Sequence, residues 1–298
     1  MDILLGIIEQ GMIYGFLALG LYITFQILNF PDLTVDGSFA LGGAISAFTI
    51  QMGINPFIAV FLSAFGGLAS GILTGIINVK LGISELLSGL IMQTGLYTLN
   101  LVIAGSSYVA IFSKPTLFSN SFVNNLENLS NVEKNLLILL PCIIVVKFLL
   151  DFYLKSKAGF LLKATGNNPI LVTTMGKDPG IQKILGIAIS NSLVASSGSM
   201  LVQQQRFFEI TMGTGTMVMG LASIIIGIKL FTSISQGFLK STTMVIFGSI
   251  IYKSVVSIVI QMGISAYYMK LLTAIIFLLI LVFSKKKRKR VLNYVNIK

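Results

Sequence analysis

Few residues in this sequence could take part in catalysis or metal binding. The 298 residues include no His and a single Cys, Cys142. Zinc and haem sites, Cys–His nucleophile pairs and disulfide bonds all depend on His or on more than one Cys. We therefore predict no catalytic residue and no metal site in this chain, and an enzyme is the least favoured class of function.

The side chains best suited to take part in binding or transport are the charged and amide side chains inside long apolar segments. Lys253 lies near the middle of the segment 242–262, where an unpaired charge in a membrane would cost about 2.5–3.5 kcal/mol. An ion pair with Glu9 or Glu85, or a side chain that reaches the membrane surface, would reduce this cost. Alternatively, Lys253 borders a transport path, for which Glu85 and Gln93 are further candidates.

Two spacings predict local packing rather than function. Lys147 and Asp151 are four residues apart, so they face the same side of a helix and form an ion pair there. Gly71 and Gly75 form a G-x-x-x-G motif, which lets two helix backbones approach closely. We interpret this motif as packing within one subunit.

The composition places these residues in a membrane protein. Of the 298 residues, 55% are hydrophobic and only 10% are charged, and the mean hydropathy is +0.91. A soluble domain carries about 25% charged residues because it must cover its surface with them. A polytopic membrane protein is therefore the default, and a soluble enzyme or a nucleic-acid-binding protein is nearly excluded.

Nine apolar segments define the predicted fold class, an all-α, polytopic transmembrane helix bundle. An apolar helix of about 20 residues spans the hydrocarbon core of a membrane. The segments cover residues 3–28, 37–52, 56–79, 86–105, 135–154, 184–204, 212–231, 242–262 and 267–284. The segment 37–52 is short, and it either crosses the membrane or forms a broken or re-entrant element. Residues 1–284 thus form one transmembrane domain with an external loop at 106–134, and residues 285–298 form a basic cytoplasmic tail.

The distribution of Lys and Arg predicts the orientation of the chain. With nine spans and a cytoplasmic C-terminus, 15 of the 21 basic residues lie in the inner loops and tail, and four lie in the outer connections. The positive-inside rule describes this bias. The N-terminus is then outside if 37–52 crosses the membrane, and inside if that segment only dips into it. The basic run 285–290 follows a span directly, so we interpret it as an anchor at anionic lipid headgroups.

The stretch 29–38 joins the first two apolar segments. Thr34, Asp36 and Ser38 are all residue types suited to cap the following helix. One interpretation is a capped turn near the inner surface of the membrane. The other is a broken helix buried in the bundle beside a transport path, since irregular backbone is tolerated there only where protein or a water-filled cavity surrounds it. The candidate path residues in this stretch are Asn29, Asp32 and Asp36.

The inner loop 155–183 is basic but too apolar for a disordered linker. Residues 159–165 and 169–176 each favour a short helix, and residues 166–169, Gly-Asn-Asn-Pro, are a turn signal between them. A helical hairpin exposed to the cytoplasm would be a docking site for a partner protein. The alternative is a loop that is basic only because it lies on the inner side.

Three stretches give the sequence a resemblance to the membrane permeases of bacterial ABC importers in the branched-chain amino acid, ribose and nucleoside group. They are residues 11–38, with Ala18–Leu21 and the Asn29–Ser38 turn, the loop 163–183, with Lys163–Asn168 and Met175–Lys177, and the helix Val218–Gly227. Residues 32–39 are most similar to the subgroup linked to tryptophan and tyrosine uptake.

The resemblance implies several partners. Two permease subunits, expected to be two copies of this chain with a paralogue as the alternative, would enclose a central path in the lipid membrane. A cytoplasmic ABC ATPase dimer would dock on the loops, and an extracytoplasmic solute-binding protein would deliver the solute. ATP and Mg²⁺ would be bound by the ATPase subunits, because this chain lacks a G-x-x-x-x-G-K-[ST] motif, and it would bind no cofactor itself. The residues assigned to ATPase docking are Gly159, Lys163, Ala164, Gly166, Asn167, Asn168, Gly176 and Lys177.

The predicted function is that of a permease subunit in the bacterial cytoplasmic membrane, not an enzyme. It would import a small solute, such as an aromatic or branched-chain amino acid, by ATP-driven alternating access. The alternative is a secondary transporter coupled to protons or sodium, in which Glu9, Glu85 and Lys253 would be the titratable groups inside the bundle. No nucleic-acid partner is expected.

Overall fold

Ten α-helices and a two-stranded sheet make up most of the described chain in the computed structural model. The described residues are 2–119, 130–235, 239–262 and the single positions 268, 271, 273–275, 278 and 282. The helices are α1 (Asp2–Leu21), α2 (Thr34–Gln51), α3 (Pro56–Val79), α4 (Glu85–Ala104), α5 (Asn131–Lys155), α6 (Lys157–Asn167), α7 (Pro169–Thr174), α8 (Pro179–Gln205), α9 (Thr216–Ser235) and α10 (Ser241–Gln261). The strands β1 (Tyr108–Ala110) and β2 (Phe207–Glu209) pair in antiparallel orientation.

Seven helical segments of the described chain are long and apolar enough to cross a membrane. They are Ile3–Ile27, Pro56–Val79, Glu85–Ala104, Val132–Lys155, Pro179–Gln205, Ile210–Thr232 and Ser241–Gln261. Each corresponds to one of the nine apolar segments that the sequence predicts. The total of about nine is not confirmed, because the helix at 37–52 is not among the seven and 267–284 lies largely outside the described residues.

The segment 37–52 forms most of α2, and its surroundings explain its low hydropathy. Fourteen of the 18 residues of α2 are buried, and α3, α4 and α8 pack around it. Because protein rather than lipid covers α2, the helix carries Gly, Ser and Thr residues that permit close packing and interhelical hydrogen bonds. The helix therefore lies in the interior of the bundle.

Small residues let α3 pack closely against α8. A Cβ atom on Gly71 would lie 2.6 Å from the backbone oxygen of Ile187, and Gly67 and Gly75 are similarly crowded by the backbone of α8. The motif formed by Gly71 and Gly75 thus serves packing within the subunit, as the sequence predicts.

The first two helices are separated by a buried irregular stretch. The helix α1 continues as a π-helical turn, Tyr22–Ile27, and the chain then reverses before α2 begins at Thr34. Phe30, Asp32 and Thr34 have no exposed surface. The stretch is therefore enclosed by protein, which is the condition under which irregular backbone is tolerated inside a membrane bundle.

The capping expectation for α2 is wrong. Thr34, Asp36 and Ser38 lie inside the helix, and Leu33 occupies the cap position without a side-chain hydrogen bond. The carboxylate of Asp32 instead accepts a 2.9 Å hydrogen bond from the backbone N–H of Thr34. Asp32 thus supplies the acceptor that a cap residue would provide, and the other three side chains contact neighbouring elements.

Interhelical hydrogen bonds define the two ends of the bundle. Ser190 donates to the backbone oxygen of Gly20 at 2.7 Å and Ser197 to that of Ile13 at 2.6 Å, so α1 and α8 are antiparallel. The α6–α7 hairpin, formed by those two short helices, shares one end with the turn before α2. The start of α1 lies at the other end, which agrees with the orientation that the Lys and Arg residues predict when α2 crosses the bundle.

Candidate functional site

The turn before α2 and the α6–α7 hairpin are in direct contact. The side-chain amide of Asn29 donates a 3.0 Å hydrogen bond to the backbone oxygen of Gly166. Asn29 has φ 53°, a left-handed conformation that Asn adopts more readily than most residues. Gly166 packs so closely that an added Cβ would overlap the backbone oxygen of Ile27. The end of α6 is thereby held against the end of the π-helical turn.

Several of the residues assigned to docking hold the hairpin itself together. Gly159 packs against the backbone at the end of α5, and the Lys163 ammonium donates a 3.0 Å hydrogen bond to the backbone oxygen of Leu154. The Asn168 side chain caps α7 by accepting a 3.1 Å hydrogen bond from the N–H of Ile170. These contacts satisfy helix ends that would otherwise lack partners.

The remaining docking candidates divide into structural and exposed positions. Ala164 is buried, and Gly176 has φ 70° where the chain leaves α7, a conformation that favours glycine. Asn167 and Lys177 are exposed. Of the set selected from the sequence, these two side chains are therefore well placed to contact a partner.

Four exposed apolar side chains on the hairpin were missed by the sequence reasoning. They are Phe160, Ile170, Leu171 and Met175, and the exposed fraction reaches 58% for Phe160 and 72% for Ile170. The signal for them is apolar residues on short helices outside any span. Exposed large apolar side chains close together in the sequence are a feature of protein interaction surfaces.

Asp32 joins the turn to the middle of α8. Its carboxylate accepts a 2.7 Å hydrogen bond from the side-chain amide of Asn191, the thirteenth of the 27 residues of α8. The hydroxyls of Ser38 and Ser70 lie 2.8 Å apart and join α2 to α3. These contacts favour the buried broken helix over a capped turn at the membrane surface, and in this conformation the Asp32 carboxylate is engaged in helix packing.

Asp36 caps a helix that is distant in sequence. Its carboxylate accepts hydrogen bonds from the backbone N–H groups of Gly215 and Met217, at 2.9 and 2.8 Å, and from the Thr216 hydroxyl at 3.0 Å. A carboxylate at a helix N-terminus satisfies free N–H groups and is favoured by the helix dipole. Asp36 therefore couples α2 to the start of α9.

The two carboxylates considered as partners of Lys253 bind other groups. Glu85 and Lys183 form an ion pair of 2.6 Å, which joins the starts of α4 and α8. Glu9 accepts a 2.8 Å hydrogen bond from the Asn135 side chain, near the start of α5. Neither carboxylate is within ion-pair distance of Lys253 in the described chain.

Two lysines inside the bundle contrast in their partners. Lys147 forms the predicted ion pair with Asp151 at 3.1 Å, and Lys240 binds the same carboxylate at 3.1 Å. Lys253 is buried in the middle of α10, and its nitrogen lies 3.6 Å from the centre of the Tyr14 ring. The cation–π contact stabilises an ammonium group less than a carboxylate would.

Gln93 occupies a different environment from the charged candidates. It is half-buried on α4, and it makes no hydrogen bond within the described part of the chain. Around it, α4 exposes Thr94, Tyr97 and Thr98. Polar side chains on an open face of a membrane helix usually face a cavity or another subunit.

These features define a class of protein. The described part of the bundle has seven apolar helices long enough to span a membrane, a buried turn between α1 and α2, and a helical hairpin with exposed apolar side chains at one end. This is the architecture of a multi-pass helical membrane protein.

Comparison with known proteins gives the family. The family model described as "Branched-chain amino acid transport system / permease component" matches residues 3–281. The chain belongs to this family and is therefore a permease component of a transport system.

Several relatives cover most of the chain. It is 38% identical over 273 residues to a tyrosine transport system permease protein from Clostridioides difficile, an alignment that covers 92% of this chain and 88% of the relative. It is 24% identical to the ribose import permease protein RbsC from Escherichia coli, with 96% and 86% covered. A solved structure, PsaBC from Streptococcus pneumoniae in complex with Fab, is similar at a TM-score of 0.39 and 12% identity, with 85% and 88% covered.

Proposed function

We propose that this chain is the membrane-spanning subunit of an ATP-driven ABC importer, and that its solute is an amino acid, with an aromatic one as the first choice. The family assignment supports the transport role, and the tyrosine transport relative supports the choice of solute. Ribose and branched-chain amino acid permeases also match at lower identity, so a branched-chain amino acid is the second choice.

The contact between Asn29 and Gly166 is the main structural support for the proposal. The α6–α7 hairpin presents Phe160 and Ile170 to its surroundings, and its other side is bonded to the turn before α2. An ATPase dimer that binds these apolar side chains would move the hairpin on ATP binding. Because Gly166 is packed against Ile27 without free space, the turn would move with it.

The broken helix would then carry this movement into the bundle. The turn leads into α2, and Asp36 of α2 holds the first turn of α9. A displacement of α2 would therefore shift α9 as well as α8, which is bonded to Asp32. Such a linked movement of packed helices is one way in which a permease changes access from one side to the other.

The path itself would run along the open face of α4. Gln93 and the neighbouring threonines would face a second permease subunit across the path, and a homodimer is the simplest arrangement. An extracytoplasmic binding protein would deliver the solute at the end that holds β1 and β2. In this proposal Glu85 and Lys183 lie at the cytoplasmic end of the path, where their ion pair joins α4 to α8.

The decisive experiment is recovery of partners with the tagged chain from native membranes in mild detergent. We expect an ABC ATPase subunit to be recovered with the unaltered chain and to be lost from the Ile170→Asp and Phe160→Asp variants. Phe112→Asp is the matched control, because Phe112 has the same 58% exposure as Phe160 but follows β1 at the opposite end. Equal recovery of the ATPase with all three variants would contradict docking on the hairpin.

A second candidate function is supported by the burial of Glu9, which is 2% exposed. A buried carboxylate whose described partners are amides, such as Asn135, could exchange a proton in a secondary transporter. Uptake that stops when an uncoupler is added while ATP is maintained would favour this function. Uptake that continues under these conditions would favour the ATP-driven importer.

A further inference from the structure

The middle of α10 contains an ammonium group that has no carboxylate partner in the described chain. Lys253 is 8% exposed, and within the described residues its nitrogen contacts the face of the Tyr14 ring, 3.6 Å from the ring centre. An ammonium group carries three N–H donors, and an aromatic face compensates only part of the cost of burying the charge.

Most acids of the chain already have hydrogen-bond partners. Eight of the ten acids in the sequence have hydrogen-bond partners in the described part, and none of these partners is Lys253. The eight are Glu9, Asp32, Asp36, Glu85, Glu133, Asp151, Asp178 and Glu209. The last two, Asp2 and Glu127, have side chains outside the described part, and residues 263–298 contain no Asp or Glu. Among the acids whose side chains are described, none forms an ion pair with Lys253.

Two tyrosines accompany Lys253. Tyr252 is 1% exposed, and its hydroxyl has no hydrogen-bond partner in the described chain. The Tyr252 side chain packs with Ala222 and Ile226 of α9. The Tyr14 ring stacks on that of Phe39 in α2, with the ring centres 5.9 Å apart. The cluster thus combines a cation, a hydroxyl donor without a partner and an aromatic surface at the meeting of α1, α2 and α10.

We propose that Lys253, together with the hydroxyls of Tyr14 and Tyr252, binds the carboxylate of the solute during its passage. The inference rests on the proposed transport function and makes it more specific, because it selects a carboxylate-bearing solute such as an amino acid over a neutral sugar. A carboxylate accepts hydrogen bonds from both an ammonium and a hydroxyl. The aromatic rings beside Lys253 would pack against an apolar or aromatic side chain of the solute. The site is closed in this conformation, so the proposal requires α10 to move relative to α1 and open the site to the path along α4.

The first test measures uptake of labelled L-tyrosine by the complete transporter in proteoliposomes. We expect Lys253→Met to raise the KM about tenfold, the loss expected when a charge-assisted hydrogen bond is removed, whereas Lys253→Arg raises it less. L-tyrosinamide, which lacks the carboxylate, competes poorly with the unaltered transporter, and Lys253→Met abolishes this discrimination. Lys147→Met is the matched control, because Asp151 keeps Lys240 as its partner, and its KM stays unchanged. An unchanged KM and unchanged discrimination in Lys253→Met would overturn the proposal.

A second test does not depend on transport. The unfolding temperature of the purified full chain in detergent is measured with sodium acetate or with acetamide at matched ionic strength. We expect acetate, but not acetamide, to raise the unfolding temperature of the unaltered chain and to have no effect on Lys253→Met. Equal effects of the two compounds would overturn the carboxylate site even if ATP-driven uptake is found. A specific acetate effect without any ATP-driven uptake would support the site and refute the importer function.

Discussion

Asp36 in α2 accepts a 2.8 Å hydrogen bond from the backbone N–H of Met217 in α9, 181 residues away in the sequence. With the bonds from Gly215 and Thr216, this contact makes one carboxylate the cap of a helix to which it does not belong. Asn29, seven residues earlier, binds Gly166 of the hairpin. The stretch 29–36 thus links the α6–α7 hairpin to α9, and the mechanism proposed above depends on it.

We expect Asp36→Ala to lower the free energy of unfolding by about 2 kcal/mol, because three hydrogen bonds to a charged acceptor at a helix N-terminus are lost. Asp36→Asn should cost about half as much, because the amide oxygen still accepts. Chemical unfolding of the purified chain in detergent micelles measures both. Asp178→Ala is the control, since Asp178 caps α8 at an exposed end through Gly180. If both alanine variants lose the same stability, Asp36 is an ordinary surface cap.

Gly166→Ala should separate the hairpin from the turn, because the added methyl group would overlap the backbone oxygen of Ile27. We expect the free energy of unfolding to fall by about 1–3 kcal/mol, the usual cost of overpacking. We also expect ATP-driven uptake to be lost. Gly6→Ala is the matched control in α1, where an added Cβ meets nothing within 4 Å. The free energy of unfolding of that variant should rise by about 0.5–1 kcal/mol, because Ala is a better helix former than Gly. Full uptake by Gly166→Ala at unaltered stability would show that the contact is dispensable.

The ion pair between Glu85 and Lys183 should stabilise the fold only weakly. The two side chains are 35% and 23% exposed, and partly exposed pairs typically contribute less than about 1 kcal/mol. A double-mutant cycle with Glu85→Gln and Lys183→Met measures their coupling through the unfolding free energies. A coupling well above that range would mean that the pair is desolvated and holds α4 against α8.

Gln93→Leu should reduce uptake without reducing stability, because Gln93 makes no hydrogen bond in the described chain and lies on the face assigned to the path. Asn100→Leu, about two helical turns further along α4, should reduce stability without reducing uptake. Asn100 is buried and donates a 3.1 Å hydrogen bond to the backbone oxygen of Gly37. Loss of this hydrogen bond should lower the free energy of unfolding by about 1–3 kcal/mol. Initial uptake rates and unfolding temperatures of the two variants test this contrast. Unchanged uptake in Gln93→Leu would remove Gln93 from the path.

The sequence predicted a good part of this architecture. The seven spans follow from the length and hydropathy of continuous segments, and the ion pair of Lys147 with Asp151 follows from their spacing on one helix. The two short helices of the α6–α7 hairpin follow from their apolar pattern and from the turn at Gly166–Pro169. All of these are properties of neighbouring residues, so they can be recognised without knowing which helices meet.

The sequence by itself thus determined that the chain is a multi-pass helical membrane protein with a helical hairpin between two spans. Only the tertiary structure decided that Asp36 caps α9, that Glu85 binds Lys183 and that Lys253 is left with an aromatic ring. It also decided that α2 is interior, which explains why a helix rich in Gly, Ser and Thr is stable there. The physical reason is that a buried polar group must find its partner where packing places the helices, and such partners can be distant in sequence, as Asp36 and Met217 are, 181 residues apart.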